Sequence, residues 1–256
     1  AGVLYPLALV AMNALKTVSD FYLNPLGWPR EIIFENFSVA YTKARLDYAL
    51  PNSLYLVLLC EIMLVVLASL AAYPIARINL RMNRIVFVVF LAGLIIPAQV
   101  VSVPVFVIVR QLGLLNHVLG VALVLTAFLL PLAVFIYAGI YKTIPREMEE
   151  AAKIDGCGPL GMFFRIMFPL ARNATATVVI ITSLDVWKEF FFPMILLNRP
   201  ESRTLSVALF SFENYEVVEW THLFAAMMIM MAPILVMFLI FQNYFIRGLA
   251  SGALKG

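Results

Sequence analysis

Long apolar runs separated by short polar clusters dominate the chain, and six stretches are apolar over most of their length: 1–15, 52–76, 85–109, 118–141, 170–197 and 223–246. A helix that crosses about 30 Å of hydrocarbon at about 1.5 Å per residue needs about 20 such residues. The pattern therefore predicts an all-α integral membrane protein with about six transmembrane helices. The third and sixth stretches carry no formal charge, whereas the second contains Glu61 and the fifth contains Asp185, Lys188 and Glu189. The first stretch is short. It lacks a basic leader and a clear cleavage site, so it reads as a first span truncated at its start rather than a signal peptide.

Composition narrows the class. With 63% of its 256 residues hydrophobic and 13% charged, the chain lies far outside the range of a soluble domain. A net charge of +3 is too small to point to nucleic acid. Cys60 and Cys157 stand alone, and His117 and His222 are far apart, so neither a disulfide framework nor a metal site is expected. Lys and Arg collect in the loops that are inner if both termini are cytoplasmic, from Arg77, Arg81 and Arg84 to Lys142, Arg146, Lys153 and Arg165. The outer segments, 16–51 and 198–222, spread their basic residues over greater length and dilute them with acids.

One segment breaks the pattern. Between Lys142 and Arg165 charged residues crowd a chain that is otherwise lipid-soluble. Pro145 suits a first helical turn, Glu147, Glu149 and Glu150 suit the positive end of a helix dipole, and Gly156 supplies a stop. Met148, Ala151, Ala152 and Asp155 share one face, with two small side chains at its centre. After Gly156-Cys157-Gly158, Pro159 starts a second arm in which Leu160, Phe163, Phe164, Met167 and Phe168 recur at helical spacing. The segment is thus predicted to fold as helix, glycine turn, helix. Periodicity leaves two readings open: an amphipathic hairpin lying on lipid headgroups, or a docking element at the membrane surface.

The residues themselves resemble the EAA signature of ABC importer permeases. Glu150-Ala151-Ala152 is followed by Gly156 and then by Ile166 and Pro169, as in the I-x-L-P ending of that pattern, with Phe168 in place of its Leu. Asn52-Ser53-Leu54, Tyr73-Pro74-Ile75-Ala76-Arg77, Leu112-Gly113-Leu114 and Trp187-Lys188-Glu189-Phe190 resemble the carbohydrate-uptake branch. Arg203-Thr204-Leu205 and the tail from Phe245 to Gly256 resemble its MalG-type subunit. The matches run from the second span to the last residue and are specific in combination.

The resemblance implies the type I ABC importer permease fold, with one permease domain over 1–256, a coupling loop at 143–169 and a cytoplasmic tail at 247–256. It implies a multi-pass protein of a prokaryotic inner membrane. In that setting Glu150 meets basic residues of a cytoplasmic ATPase, Ala151 and Ala152 permit close approach, Asp155 shares their face, Gly156 makes the bend, and Ile166 and Pro169 close the motif. The tail, with Ser251 and Lys255, reaches into the ATPase dimer. Implied partners are a second homologous permease subunit, two ATPase subunits, an extracytoplasmic solute-binding protein and membrane lipid, with no nucleic acid. ATP and magnesium belong to the ATPase, because this chain has no G-x-x-x-x-G-K-[ST] phosphate loop. A transport subunit, with no catalytic residue, metal or cofactor of its own, is the expectation.

The charges inside the spans have two readings each. Counting from Arg172, Asp185 falls roughly 20 Å into the bilayer, and it can pair with Lys188 at i, i+3 and share a face with Glu189 at i, i+4. Asp185, Lys188 and Glu189 then line a translocation path, with Trp187 as a ring for a sugar to stack on, or else they form an internal ion pair that fixes packing. Glu61 either lines the path or bonds to another helix. An oligosaccharide is the favoured cargo, with glycerol phosphate or another small solute as the alternative. Phosphate would call for clustered Arg or Lys, and only Lys188 is a candidate. An intramembrane enzyme would need more than Asp185 and Glu189. A passive channel would leave the charged loop without a purpose.

Overall fold

The computed structural model describes residues 4–212 and 220–253, and among these the chain is helical with no strand. The first helix, α1 (Leu4–Ala14), is followed by α2 (Val18–Leu23), whose start is capped by the Thr17 side chain, and by α3 (Glu35–Lys43). Helix α4 (Leu46–Arg77) runs unbroken for 32 residues. Then come α5 (Arg81–Gly93), α6 (Ser102–Gln111) and the 26-residue α7 (Val118–Thr143). Three short pieces follow: α8 (Glu147–Ile154), α9 (Pro159–Met162) and, after a π-helical turn at Phe163–Met167, α10 (Phe168–Leu170). The remainder is α11 (Arg172–Lys188), α12 (Phe191–Leu196), α13 (Leu205–Ala208) and α14 (Trp220–Ala253).

Two of these helices, α4 and α7, are each long and apolar enough to cross a membrane, and Pro159–Leu170 with Arg172–Lys188 passes the same test as a pair bent by 68°. Shorter apolar helices lie at Tyr5–Ala14, Ser102–Gln111 and Trp220–Val236. Two of the apolar stretches are not continuous. The stretch 85–109 divides into α5 and α6, with Pro97, which has no amide proton to give a helix, inside the break. The stretch 170–197 divides at Glu189 and Phe190, where the Glu189 carboxylate turns back to accept from the Phe192 amide at 3.2 Å. That bond satisfies an amide that the first turn of α12 leaves without a helical partner.

The described residues pack into two compact units. One draws on the described parts of 1–55, 114–118 and 187–240, and it is held by polar clasps. Lys16, counted above among the outer basic residues, is buried: its Nζ donates to Asn13 Oδ1 at 2.9 Å and to the Asn24 carbonyl at 2.6 Å. Asn36 donates to the carbonyls of Ala14 and Lys16 at 2.9 and 2.8 Å. Two of the motif segments meet here. The Asn52 side chain donates to the carbonyls of Glu201 and Arg203 at 2.9 and 3.1 Å, and Ser53 Oγ accepts from the Leu205 amide at 2.8 Å. Asn116, in the left-handed region at φ 62°, accepts through Oδ1 from the Asn198 and Arg199 amides at 2.7 and 3.0 Å.

The second unit draws on 56–113, 119–186 and the described part of 241–256. Its core is a seam of fully buried residues: Leu64, Ala68 and Ala72 of α4 with Ala133, Val134, Tyr137, Ala138 and Tyr141 of α7, and Ala171, Ala174 and Val178 leading into α11. Leu64, Ala68 and Ala72 recur every four residues, so one stripe of α4 is small enough for close helix packing. Gly93 serves the same end, because a Cβ there would stand 3.2 Å from Pro131 Cγ. Lys142 at the end of α7 lies 5.2 Å from the centre of the Phe87 ring.

Candidate functional site

The charged insert folds as predicted in outline. Helix α8 carries Glu147, Glu149 and Glu150 in its first turn, with Arg146 at the cap and Pro145 just before it. The exit is a Schellman turn: the Cys157 amide donates to the Ala152 carbonyl at 2.9 Å and the Gly156 amide to the Lys153 carbonyl at 3.0 Å. Gly156 stands at φ 78°, which a residue with a Cβ adopts only under strain. Gly158 and Pro159 then start the second arm. That arm passes through the π turn at Phe163–Met167 and the Ala171 elbow directly into α11.

The apolar side chains of the hairpin divide between two duties. Ala152, Met162, Phe163 and Met167 are buried in the core of their unit. Met148, Ile154, Leu160 and Phe164 are exposed, Ile154 to 86%, and so are Glu150, Ala151, Asp155 and Gly156. The expected face of Met148, Ala151, Ala152 and Asp155 is thus split, because Ala152 serves internal packing while the other three face outward. Ile166 is partly buried against the core, and Pro169 is exposed. Of the tail residues, Ser251 lies within α14, and Lys255 lies outside the described residues.

What holds the hairpin was not singled out by sequence. Arg77, the last residue of α4, forms an ion pair with Glu149 of α8 while 6% exposed, and Glu149 is 13% exposed. The same guanidinium donates through Nη2 to the Ile144 carbonyl at 2.6 Å and reaches the Pro145 carbonyl at 3.4 Å. One turn earlier, the Tyr73 ring packs on Tyr141 and on Phe163, each at 5.7 Å between centroids. Helix α4 therefore grips both arms of the hairpin. The signal in the sequence was Tyr73-Pro74-Ile75-Ala76-Arg77, matched as a motif without a role, with Glu149 one position from the acid the motif emphasised.

The residues within the spans are distributed differently. Glu61 is buried beside Thr182, whose Oγ1 lies 2.8 and 3.0 Å from its two carboxylate oxygens and 2.8 Å from the Val178 carbonyl. Nearby in the same unit, Tyr137 Oη donates to Thr175 Oγ1 at 2.8 Å. Asp185 is half-buried, and Lys188, the last residue of α11, is exposed. Trp187 is 4% exposed, so its ring faces are covered by this chain. Glu189 caps α12, and its backbone carbonyl accepts from Ser206 Oγ at 2.6 Å. Because the helix ends at Lys188, Glu189 does not continue the face that Asp185 begins. Among the described residues no group of three or more His, Cys, Asp or Glu could hold a metal.

The comparisons with known proteins agree on kind. The family model described as "Binding-protein-dependent transport system inner membrane component" matches residues 64–251. The "Melibiose/raffinose/stachyose import permease protein MelC" of Bacillus subtilis (strain 168) is 39% identical over 98% of this chain and 91% of that protein. A crystal structure of "a bacterial ABC transporter involved in the import of the acidic polysaccharide alginate" contains a chain of the same fold, with a TM-score of 0.83 at 21% identity over 95% of this chain and 91% of that one. A second structure of a "bacterial alginate ABC transporter", in complex with an "alginate pentasaccharide-bound periplasmic protein", matches at a TM-score of 0.68 and 16% identity over 93% and 86%.

Proposed function

The chain belongs to the family of binding-protein-dependent transport system inner membrane components, and from that premise we propose that it is the permease subunit of an ATP-driven importer for an oligosaccharide. The observation that carries the reading is the hairpin. It is a two-armed element that exposes Met148, Ile154, Leu160 and Phe164 around Glu150 and Ala151, and it is tied at its base to α4 and continuous with α11. An apolar crest with an acidic flank is a surface for a protein partner with basic residues. A hairpin that only rested on headgroups would not need a buried ion pair to fix its angle.

In this reading a cytoplasmic ATPase dimer holds ATP and magnesium and grips the hairpin, and its closure moves α4 and α11 as rigid levers. The chain itself performs no hydrolysis. A second, homologous permease completes the pathway, and a periplasmic solute-binding protein delivers the sugar, as the family's description and the periplasmic protein bound in the alginate structure support. The setting is the inner membrane of a prokaryote, with both termini and the hairpin on the cytoplasmic side. Oligosaccharide cargo follows the name of the 39% identical relative, which handles melibiose, raffinose and stachyose. Ser251 and Lys255 take the tail's place at the ATPase, and Glu61, Asp185 and Lys188 are the candidates for polar groups along the path.

Affinity purification of the tagged chain from its native membrane tests this directly. An ATP-hydrolysing subunit retained in stoichiometric amount, and crosslinked through a cysteine placed at Ile154, is the expected result. Recovery of the chain with lipid alone would overturn the assignment.

A further inference from the structure

We propose that Arg77 is the positioning residue that fixes the angle between the hairpin and α4, so that a push on the hairpin reaches the membrane-embedded part of α4 instead of bending the joint. The inference rests on the transport reading above and adds to it a specific point of transmission. The chain between α7 and α8 is only Ile144, Pro145 and Arg146, and none of the three lies in either helix. Such a linker alone is a hinge. The Arg77 guanidinium closes it from the other side, engaging the carbonyls of Ile144 and Pro145 and the carboxylate of Glu149 at once.

Two hydrogen bonds from one nitrogen to the linker and an ion pair to the helix beyond it, all from one planar group, restrict the joint more than a single point contact would. Both side chains are largely covered, so water competes poorly for the pair. Tyr73, one turn back on the same helix, adds a second point of attachment through Tyr141 and Phe163. Two attachments a turn apart on α4 define a lever arm. Glu149 is thereby assigned inward, to α4, whereas the adjacent Glu150 is exposed and left for the partner.

The test uses the intact complex of this chain with its ATPase and second permease in lipid vesicles. Nitroxide labels go on Glu147 of the hairpin and Leu70 of α4, both at the surface and neither in the joint. The variants are Arg77→Gln, Arg77→Lys, Glu149→Gln and the charge swap Arg77→Glu with Glu149→Arg. Wild type is expected to give one narrow label distance, the same without nucleotide and with ATP plus vanadate. Arg77→Gln is expected to broaden that distance, to keep the ATPase bound and hydrolysing, and to cut the stimulation of hydrolysis by added binding protein about tenfold. Partial recovery of both readouts in the charge swap would show that the pair, not general folding, sets them.

Should Arg77→Gln fail to assemble, Arg77→Lys carries the test, since a point charge keeps the attraction but not the fork. It should assemble, with a broadened distance. Unchanged distance and unchanged stimulation in Arg77→Gln, or in Arg77→Lys where Gln does not assemble, would overturn the positioning role while leaving the transport reading intact. Absence of any ATPase from the wild-type preparation would overturn both.

Discussion

Arg77 and Glu149 are 72 positions apart by their numbers, and they meet as a buried ion pair that joins the end of one membrane-length helix to the first turn of a surface helix. A buried pair contributes little net stability when compared with apolar replacements, but removing one partner strands the other charge. The pair is better understood as a constraint on geometry than as a source of stability.

Truncation of the pair should therefore be costly. Glu149→Ala, which leaves Arg77 buried without its carboxylate, is expected to destabilise the hairpin by roughly 3 kcal/mol. Hydrogen exchange at residues 147–157 would rise by about two orders of magnitude at that figure, while exchange in the middle of α4 stays slow.

The Schellman turn makes a sharper demand on one residue. A Cβ at Gly156 meets no atom within 4 Å, so any cost of substitution comes from its φ of 78° alone. Gly156→Asn should be the mildest change and Gly156→Ala should cost about 1 kcal/mol. Gly156→Val should cost more, because branching disfavours this region. Limited proteolysis of the hairpin in the purified chain ranks the three, and an equal response to all of them would contradict the conformational account. Gly156→Pro goes further and is expected to leave the protein inserted in the membrane while abolishing ATP-linked uptake.

Glu150 offers the opposite case. It is exposed and makes no contribution to the core, so Glu150→Lys should cost the isolated chain no more than the helix-dipole term of its first turn, at most about 1 kcal/mol. Its main effect should appear only with the partner, as loss of uptake with membrane insertion unchanged. Normal uptake by the Lys variant would remove the acidic flank from the docking surface.

Inside the second unit, Thr182 has one hydroxyl proton and three acceptors within reach, the two oxygens of Glu61 and the Val178 carbonyl. A side chain at position 61 that can donate as well as accept relieves that competition. Glu61→Gln is expected to fold and transport nearly as wild type, whereas Glu61→Leu leaves Thr182 only its Val178 acceptor, removes the polar contact between α4 and α11, and should lower the thermal midpoint. Midpoints measured in one detergent for both variants decide it, and a Gln variant as unstable as the Leu variant would show that the carboxylate itself is required.

On the other unit, Asn116 holds the chain after α12 by accepting two amides while itself left-handed. Asn116→Ala forfeits both bonds and adds backbone strain, at roughly 2 kcal/mol in total. Protease cleavage between Asn198 and Arg203 should accelerate, and Asn116→Asp should largely preserve protection, since its carboxylate accepts the same two amides.

The EAA-like hairpin was legible because its information is local. Proline, the acidic first turn, the glycine stop and the second proline each act through their own backbone, so their order along the chain writes the structure. The same is true of the apolar runs in α4 and α7. The breaks at 94–101 and at Glu189 were harder to foresee. Hydropathy measures preference for lipid and is blind to whether Pro97 interrupts a helix or merely kinks it. Glu189 looked like one face of a continuous helix because nothing in its neighbours reveals that its carboxylate turns back onto Phe192.

What the sequence by itself determined is the class of protein, the helical material and the position of the charged hairpin, because composition, period and turn chemistry are properties of neighbouring residues. What only the tertiary structure decided is which charges face inward. Arg77, Glu149 and Lys16 read along the chain as surface charges, yet Lys16 is buried with a partner and the paired side chains of Arg77 and Glu149 are largely covered. A charge can leave water only where other groups replace its solvation. Those groups, the Ile144 carbonyl for Arg77 and the Asn24 carbonyl for Lys16, are delivered to the place by the folded backbone.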